Sequence, residues 1–339
     1  MKTFIVKKYG KKETLHLTEV SEPAVKENDV LVQVHAAGAN LLDSLIKNGA
    51  FKAFLPYKPP FLLGHDVAGT VVKVGSGVKR FKLGDEVYSR PRDHRMGTFA
   101  EYISIHEDDV ALKPKNLSME EAASIPLVGL TAWQALIEKA DLKKGQKVFI
   151  QAGSGGVGTL AIQLAKHLGA TVATTTSTEN IEWVKRLGAD IVIDYKREDF
   201  ATKLKDYDLV LHSNRDPKVL EDSLRVLKPG GKLISLTGPV TPAFAKELGL
   251  PWYLKLVMYF MSFKIKKIAR QLNVQFSFLF MKASGTQLRE ITSLIELGVI
   301  HPVIDRVFPF ASTNEALTYV EQGRTKGKVV VQMSFLKHR

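Results

Sequence analysis

The chain has 339 residues, 45% hydrophobic and 24% charged, which is enough for two folded domains and shows no compositional sign of disorder. It contains no cysteine, which excludes disulfides, cysteine-ligated zinc, iron–sulfur clusters and a thiol nucleophile. The formal net charge is +13, but no dense or aromatic-interleaved basic run occurs, so we expect an anionic cofactor and no nucleic-acid partner.

The first third of the sequence is typical of short strands joined by turns. Asp29–His35 alternates apolar and polar residues as a half-buried strand does, and Val67–Val74 is β-branched with glycines around it. Asp85–Tyr88 and Phe99–Ile103 are further strand candidates. This pattern predicts a compact, barrel-like antiparallel β domain.

The pattern changes near Ser118, where helical segments begin. Helices are predicted at Met119–Ser124 and Thr131–Ala140, after which strands and helices alternate. The alternating strands are predicted at Lys147–Ala152, Thr171–Thr176, Asp190–Tyr195, Leu209–Ser213 and Gly231–Thr237, with helices at Val157–Leu168 and Glu179–Leu187. Such alternation predicts a doubly wound parallel sheet.

The tail returns to mixed structure. We predict a strand at Val303–Phe310, a helix at Thr313–Gln322 and a closing strand at Lys328–Met333. The closing strand is distant in sequence from the N-terminal β region but could still pair with it.

A glycine-rich loop follows the first strand of the alternating region. Its residues fit the pattern G-x-G-x-x-G and are Gly153, Ser154, Gly155, Gly156, Val157 and Gly158. Glycines there permit a tight turn and a close approach of the backbone to a pyrophosphate, and the N-terminus of the next helix favours the negative charge. Because the loop lies between a strand and a helix, we expect it to bind a dinucleotide; a glycine-rich turn without a ligand is the alternative.

The end of the second alternating strand indicates which dinucleotide binds. An NAD site usually places an acidic residue there for the ribose 2′-hydroxyl, but this strand ends in Thr176 and Ser177. Glu179 lies just beyond, and Lys196 and Arg197 follow the third strand. Hydroxyl and basic groups suit a 2′-phosphate, so we predict NADPH as the cofactor.

Several motifs together resemble the zinc-independent quinone oxidoreductase and enoyl reductase branch of the medium-chain dehydrogenase/reductase superfamily, which includes zeta-crystallin-like enzymes. The resemblance covers about Met1 to Met333. The segments that carry it are Gly64–Val71, Gly84–Val87, Gly97–Tyr102, Leu130–Trp133, Ala152–Gly158, Leu187–Asp190 and Gly327–Val330.

The resemblance implies an α/β fold with a GroES-like β domain and a Rossmann domain. We expect the GroES-like domain at residues 1–122, completed by about 303–339, and the Rossmann domain at 123–302. The cleft between the two would hold nicotinamide and substrate, and a homodimer is expected. Further cofactor contacts are expected, beyond the glycine loop, from Thr131, Thr176, Ser177, Tyr195, Thr237 and Gly238.

The resemblance also indicates where zinc would lie in zinc-dependent relatives. Asn40 stands in place of their first catalytic cysteine and His65 in place of their histidine. One amide and one imidazole cannot supply the three protein ligands of a catalytic zinc, and adding Asp43 or Asp66 gives only a weak, oxygen-rich set. We therefore expect no metal, and interpret His65 as a structural hydrogen-bonding residue.

Without a Lewis acid, reduction of a quinone or an α,β-unsaturated carbonyl is easier than alcohol oxidation, because the charge delocalises onto oxygen. Asn40 and Asp43 resemble the N-x-x-D active-site element of the branch. The resemblance implies that Asn40 donates its amide N–H to the developing oxyanion and that Asp43 orients Asn40, a backbone group or the nicotinamide ribose. The alternative is a capped turn without catalytic function. Some relatives carry a tyrosine where Leu41 stands, so a tyrosine acid is missing at that position.

Other functional classes remain open. The chain could be a catalytically weak reductase-fold protein that serves as an NADPH-binding or interaction module. Pro251–Gln271 mixes aromatic and basic residues and could be a lid or packing helix, or an interfacial membrane helix. Its most apolar part, Pro251–Met261, is shorter than the roughly 20 residues of a spanning helix. With no signal-peptide pattern near the N-terminus, we expect a cytoplasmic protein without stable membrane insertion.

Overall fold

The computed structural model describes residues 1–333, which form two compact units. Of the described residues, the first contains 1–130 and 282–333, and the second contains 131–281. The second unit is shorter at both ends than the predicted Rossmann domain, 123–302; at its carboxyl end this is because helix Gly285–Glu296 packs in the first unit. There the Tyr88 hydroxyl donates a hydrogen bond of 2.7 Å to the Leu288 carbonyl. Residues 334–339 of the predicted first domain lie outside the described residues.

The strands of the described chain are numbered in sequence order. They are β1 (Lys2–Val6), β2 (His16–Glu19), β3 (Asp29–Ala39), β4 (Phe61–Leu62), β5 (Asp66–Val74), β6 (Glu86–Ser89), β7 (Tyr102–His106), β8 (Val110–Leu112), β9 (Lys147–Ile150), β10 (Thr171–Thr176), β11 (Ile191–Asp194), β12 (Tyr207–His212), β13 (Leu227–Ser235), β14 (Gln275–Phe278), β15 (Ile304–Pro309) and β16 (Lys328–Gln332).

The α-helices are numbered in the same way. They are α1 (Leu41–Lys47), α2 (Met119–Ala123), α3 (Pro126–Trp133), α4 (Gly156–His167), α5 (Ile181–Arg186), α6 (Phe200–Lys203), α7 (Pro217–Arg225), α8 (Pro242–Glu247), α9 (Trp252–Gln271), α10 (Gly285–Glu296) and α11 (Thr313–Glu321). The predicted helix Thr131–Ala140 is in fact the end of α3 followed by a π-helix at Gln134–Lys139.

The first unit is built around a mixed β structure whose central strand is β3. In its larger sheet the strands follow the order β15-β16-β3-β5-β6-β8, and β7 also pairs with β3. The pairs are antiparallel except β15 with β16, which is parallel. The predicted antiparallel β domain is therefore confirmed, and the closing strand does reach it: Val329 pairs with Ala39.

Close packing explains one motif glycine in this unit. A Cβ at Gly69 would lie 2.0 Å from the carbonyl oxygen of Gln33 on the paired strand β3. Since no side chain fits there, Gly69 is needed for strand packing. The same motif places His65 and Asp66 at the start of β5, where both are buried.

The second unit is the predicted Rossmann-like domain. Its sheet has the order β11-β10-β9-β12-β13-β14, and every pair in it is parallel. The chain moves outward from β9 to β11 and then returns to the other side of β9 at β12. This reversal is the topological switch point of a doubly wound sheet, beside which ligands bind at the carboxyl ends of the strands.

Candidate cofactor and active sites

The glycine-rich loop joins β9 to the N-terminus of α4 at the switch point of the second unit. The loop begins with Ala152 in the left-handed region at a φ of 53°. Its backbone is fixed to the neighbouring strand, since Gly153 N donates to the carbonyl of Thr175 at 2.9 Å. Gly155 is the N-cap of α4 and has no side chain, so the first-turn N–H groups receive no side-chain cap. These uncapped donors and the helix dipole make the loop suited to an anion.

The positions of the loop are occupied by glycine for different structural reasons. A Cβ at Gly153 would lie 2.2 Å from Oγ1 of Thr174, and one at Gly158 would lie 2.3 Å from the carbonyl oxygen of Ala152. Both are therefore needed for helix–strand packing. A Cβ at Gly155 meets only the Ala152 carbonyl oxygen, at 3.4 Å, an ordinary contact. The space beside Gly155 is consequently open, as the expected approach of a pyrophosphate to this turn requires.

The other expected cofactor residues follow the carboxyl ends of neighbouring strands. Thr176 ends β10, and its hydroxyl is buried without a hydrogen-bond partner among residues 1–333. Because buried hydroxyls are normally paired, this oxygen is a candidate ligand contact. Ser177 and Tyr195 come directly after β10 and β11, and Tyr195 is 61% exposed.

Beyond β13 the chain turns through Thr237 and Gly238. The Gly238 N–H donates to Oγ of Ser235 at 2.7 Å, which fixes this turn against the end of β13. Since the strands are parallel, this turn and the ends of β9, β10 and β11 share one edge of the sheet. Thr131 is not at the end of a strand but buried in α3.

Mixed charges surround the ends of β10 and β11. The Lys196 ammonium lies 3.1 Å from the Glu179 carboxylate, and both side chains are about half exposed. Asp194 accepts hydrogen bonds from the Thr178 hydroxyl at 2.6 Å and from the Lys196 N–H at 3.0 Å. The Thr178 hydrogen bond, followed by the Lys196 N–H and the nearby basic side chains, lowers the pKa of Asp194. Any 2′-phosphate here would compete with Glu179 for the charge of Lys196.

One buried histidine at the same sheet edge was missed by the sequence analysis. His212 ends β12, and its Nδ1 lies 2.8 Å from Oγ of Ser235, while its Nε2 is buried without a partner in the part of the chain that the structure describes. Burial lowers the pKa of His212 to about 4, so the ring is neutral at pH 7. Its only sequence signal is its place at the end of a predicted parallel strand.

In the first unit, Asn40 and Asp43 stand at the N-terminus of α1. The Asn40 N–H donates to Oδ2 of Asp43 at 2.8 Å, so Asp43 caps the helix. The other carboxylate oxygen, Oδ1, accepts a 2.6 Å hydrogen bond from Nδ1 of His65. Asp43 and His65 are fully buried, and Nε2 of His65 has no hydrogen-bond partner within the described chain. Asp43 therefore positions both Asn40 and His65.

The Asn40 side chain is held by Asp66, Gly38 and Lys328, none of which the sequence indicated as its partner. Its Nδ2 donates to Oδ2 of Asp66 at 2.9 Å and to the Gly38 carbonyl at 3.2 Å. Its Oδ1 accepts a 2.5 Å hydrogen bond from the Lys328 ammonium.

Lys328 is itself buried. Its ammonium also donates to Asp66 Oδ2 at 3.0 Å and to the Ala39 carbonyl at 3.3 Å, so three acceptors surround it. A buried cation paired in this way holds Asp66 and Asn40 in one arrangement. Asp66 and Lys328 lie in the motifs Gly64–Val71 and Gly327–Val330, which the sequence did reveal. That the two motifs meet is visible only in the fold.

These residues do not fit a catalytic zinc ion. The chain has no thiolate, and the oxygens of Asn40 and Asp66 already bind the Lys328 ammonium. No cluster of three or more His, Cys, Asp or Glu side chains within residues 1–333 is arranged to hold a metal ion. A tetrahedral zinc site needs three protein ligands in one place, and here His65 would be the sole nitrogen ligand.

Comparisons with known proteins agree with both units. A family model described as an alcohol dehydrogenase GroES-like domain matches residues 26–115. A second, described as a zinc-binding dehydrogenase, matches residues 187–331.

Two curated relatives and one solved structure extend the match to the whole chain. The 2-methylene-furan-3-one reductase of Solanum lycopersicum is 39% identical, over 98% of this chain and 79% of its own length. The chloroplastic NADPH-dependent alkenal/one oxidoreductase of Arabidopsis thaliana is 37% identical over the same shares. The quinone oxidoreductase structure from Coxiella burnetii has a TM-score of 0.85 at 30% identity, covering 98% of this chain and 99% of that one.

The resemblance of the sequence motifs is thereby confirmed in both halves of the chain. The chain belongs to the zeta-crystallin-like quinone oxidoreductase and enoyl reductase branch of the medium-chain dehydrogenase/reductase superfamily, an NAD(P)H-dependent family of enzymes.

Proposed function

We propose that this protein is a zinc-independent, NADPH-dependent oxidoreductase that delivers a hydride to a quinone or an α,β-unsaturated carbonyl. The observation that carries the proposal is the open Gly155 turn at the switch point of the parallel sheet. The names of the relatives, which refer to furanone, alkenal and quinone substrates, support this class of acceptor.

The loop from Gly153 to Gly158 would hold the pyrophosphate through its backbone N–H groups. Thr176, Ser177 and Tyr195 would bind the adenosine ribose and its phosphate at the ends of β10 and β11, with Lys196 supplying positive charge. The remaining contacts of the proposal are Thr131, Thr237 and Gly238. Bound NADPH supplies the hydride, and the protein's own contribution is to orient the acceptor and stabilise the charge left on its oxygen.

Asn40 is our proposed oxyanion donor. Both of its Nδ2 hydrogens already have acceptors, and the longer bond, 3.2 Å to Gly38, is the one that can be exchanged for a substrate oxygen. The Lys328 ammonium on Oδ1 polarises the amide and makes Nδ2 a stronger donor. Asp43 is a positioning residue, because it holds the Asn40 backbone and the His65 ring.

The zinc-free part of the proposal rests on the donor set. One imidazole beside an amide and a carboxylate that already bind an ammonium gives zinc too few ligands. We expect purified protein to contain no stoichiometric zinc and its activity to survive chelators. One tightly held zinc per chain, lost together with activity, would overturn this part.

An acceptor screen tests the function as a whole. Quinones, enals and enones are offered with NADPH, and NADPH oxidation is followed; we expect turnover on at least one class. Gly155→Val is the matched control, since it should remove cofactor binding and leave the fold. NADPH binding by the wild type without turnover on any acceptor would favour the alternative, an NADPH-binding module.

We also propose that the protein is a homodimer, which light scattering on the purified protein tests.

Among residues 1–333 no helix combines the length and the apolar character that crossing a membrane requires. The cytoplasmic location stays a prediction, because one relative's name places it in the chloroplast.

A further inference from the structure

Helix α9 (Trp252–Gln271) carries apolar side chains on the side that faces away from the core. Met258, Ser262, Ile265 and Ala269 form its buried face. Leu256, Phe260 and Phe263 each lie two positions before a member of that face, which on an α-helix places them about 200° away from it. They are 49%, 68% and 49% exposed.

The exposed apolar set is larger than these three residues. The further exposed apolar residues of the helix are Trp252, Tyr253, Val257, Tyr259 and Met261, of which Trp252 is 74% exposed. A surface helix normally presents charged and polar residues opposite the core. We call Trp252, Leu256, Phe260 and Phe263, which follow one another at spacings of four, four and three residues, the outward face.

The charge of the helix indicates what covers the outward face. The helix has no acidic residue, and the bases of its last two turns are Lys264, Lys266, Lys267 and Arg270. Lys267 continues the line of the outward face, since it lies two positions before buried Ala269. Within the described chain Lys264 pairs with Glu221. The outward face is therefore apolar over three turns, and Lys267 continues its line into the last two turns of the helix, which are basic, in a chain of net charge +13.

This arrangement fits a lipid surface better than a second protein. Lysine is depleted in protein–protein interfaces, whereas Trp, Tyr, Leu and Phe beside lysines are the composition of helices that lie in the membrane interface. Basic residues near an anionic leaflet add electrostatic attraction to the burial of the apolar side chains. The helix is about 30 Å long, enough to lie in the headgroup region along its whole length.

We propose that α9 docks this protein reversibly on an anionic lipid surface, with the outward face in the interface and the basic turns against the headgroups. The proposal does not depend on the proposed reaction, because it concerns binding and not turnover. The sequence left two roles open for Pro251–Gln271, a lid or packing helix and an interfacial membrane helix, and the proposal selects the second.

Flotation with vesicles tests the proposal on the full-length protein. Vesicles of phosphatidylcholine alone are compared with vesicles that contain about one third phosphatidylglycerol, at low and high salt. We expect the protein to float with the anionic vesicles at low salt and to be released by high salt, because salt screens exposed charges.

Two pairs of variants separate the apolar and the basic contributions. Leu256→Ser/Phe260→Ser should lower the bound fraction at least tenfold, whereas the control Leu83→Ser/Leu297→Ser, at exposed leucines outside α9, should bind as the wild type. Lys267→Gln/Arg270→Gln should weaken binding to anionic vesicles and reduce its salt dependence. The control Lys11→Gln/Lys12→Gln, at exposed lysines elsewhere, should do neither.

Two results would overturn the proposal. The first is a wild-type protein that stays unbound with anionic vesicles at low salt, or whose binding survives Leu256→Ser/Phe260→Ser. The second is a wild type that binds no vesicles and that light scattering shows to be a larger assembly than the double variant. That result would assign the outward face to a second copy of this chain.

Discussion

The ammonium of Lys328 lies 2.5 Å from Oδ1 of Asn40, although 288 positions separate the two residues in the sequence. The closing strand β16 makes this possible, because it pairs with β3 and so brings Lys328 next to Asn40. The candidate active site of the first unit is therefore assembled from both ends of the chain.

Asn40→Ala should affect both stability and chemistry. It leaves buried Lys328 and Asp66 each short of one partner, so we expect a loss of about 1–3 kcal/mol in the free energy of unfolding. If Asn40 stabilises the developing oxyanion, kcat should also fall by about 10²–10³-fold while the Kd for NADPH is nearly unchanged. Thermal melts and kcat are measured on the same preparation, at a temperature where the variant is folded. A destabilised variant with normal kcat would remove Asn40 from the catalytic residues.

Gly155→Val should abolish dinucleotide binding without unfolding the protein. The backbone of Gly155 is extended, and a Cβ there makes only an ordinary contact, so the new side chain takes the space of the pyrophosphate. Gly158→Ala is the matched variant, in which the new Cβ would collide with the Ala152 carbonyl and lower the melting temperature. Fluorescence titration with NADPH and a thermal melt distinguish the two. Normal NADPH affinity of Gly155→Val would show that the loop is not the pyrophosphate site.

The Glu179–Lys196 pair should set the preference between the two dinucleotides. We expect the wild type to bind NADPH at least tenfold tighter than NADH, which corresponds to about 1.4 kcal/mol. Lys196→Ala should lower this ratio, and Glu179→Gln should raise it by roughly three- to tenfold, because the competing carboxylate is gone. Lys185→Ala, which breaks the exposed pair with Glu182, is the control and should leave the ratio unchanged. Equal affinities of the wild type for NADPH and NADH would contradict the assignment.

His212 should make the protein less stable in mild acid. Its pKa is lowered to about 4 in the folded state by burial, against 6.5 in the unfolded chain. Between these values the unfolded state binds more protons, so stability falls as pH decreases from about 6.5 toward 4, by about 2 kcal/mol between pH 7 and pH 5.

The variant His212→Asn, which can keep the hydrogen bond to Ser235, isolates this contribution. Denaturant unfolding at pH 7 and pH 5 should show a smaller difference between the two pH values in the variant than in the wild type. An equal difference in both proteins would mean that His212 does not titrate as described.

The sequence was sufficient for features that depend on local pattern. Alternation of strands and helices from Lys147 onward predicts the parallel sheet, and the predicted start of the helix after the glycine loop, Val157, is one residue from the start of α4 at Gly156. The domain boundaries were harder to predict, because helix α10 has an ordinary amphipathic pattern. Its contacts with residues such as Tyr88, Leu112 and Asn116, which only the fold reveals, assign it to the first unit.

The site residues Lys328 and Asp66 could not be recognised in the sequence, for the same physical reason. Lys328 and Asp66 are charged residues that are buried in contact with each other, and such a pair has no periodic signal in either segment. The loop around Gly155 can be recognised from its sequence pattern. The pattern does not show which of its glycines are needed for packing and which one leaves open space, because that depends on the atoms around the loop.

Direct hydride transfer is the central claim, and NADPH deuterated at C4 of the nicotinamide tests it. The protein is incubated with this cofactor, an α,β-unsaturated aldehyde and a metal chelator, and the product is analysed by mass spectrometry and NMR. The account predicts a saturated aldehyde with one deuterium at the β-carbon, formed as fast as without chelator. Deuterium missing from the product, or product formation that stops when the chelator removes a metal, would contradict it.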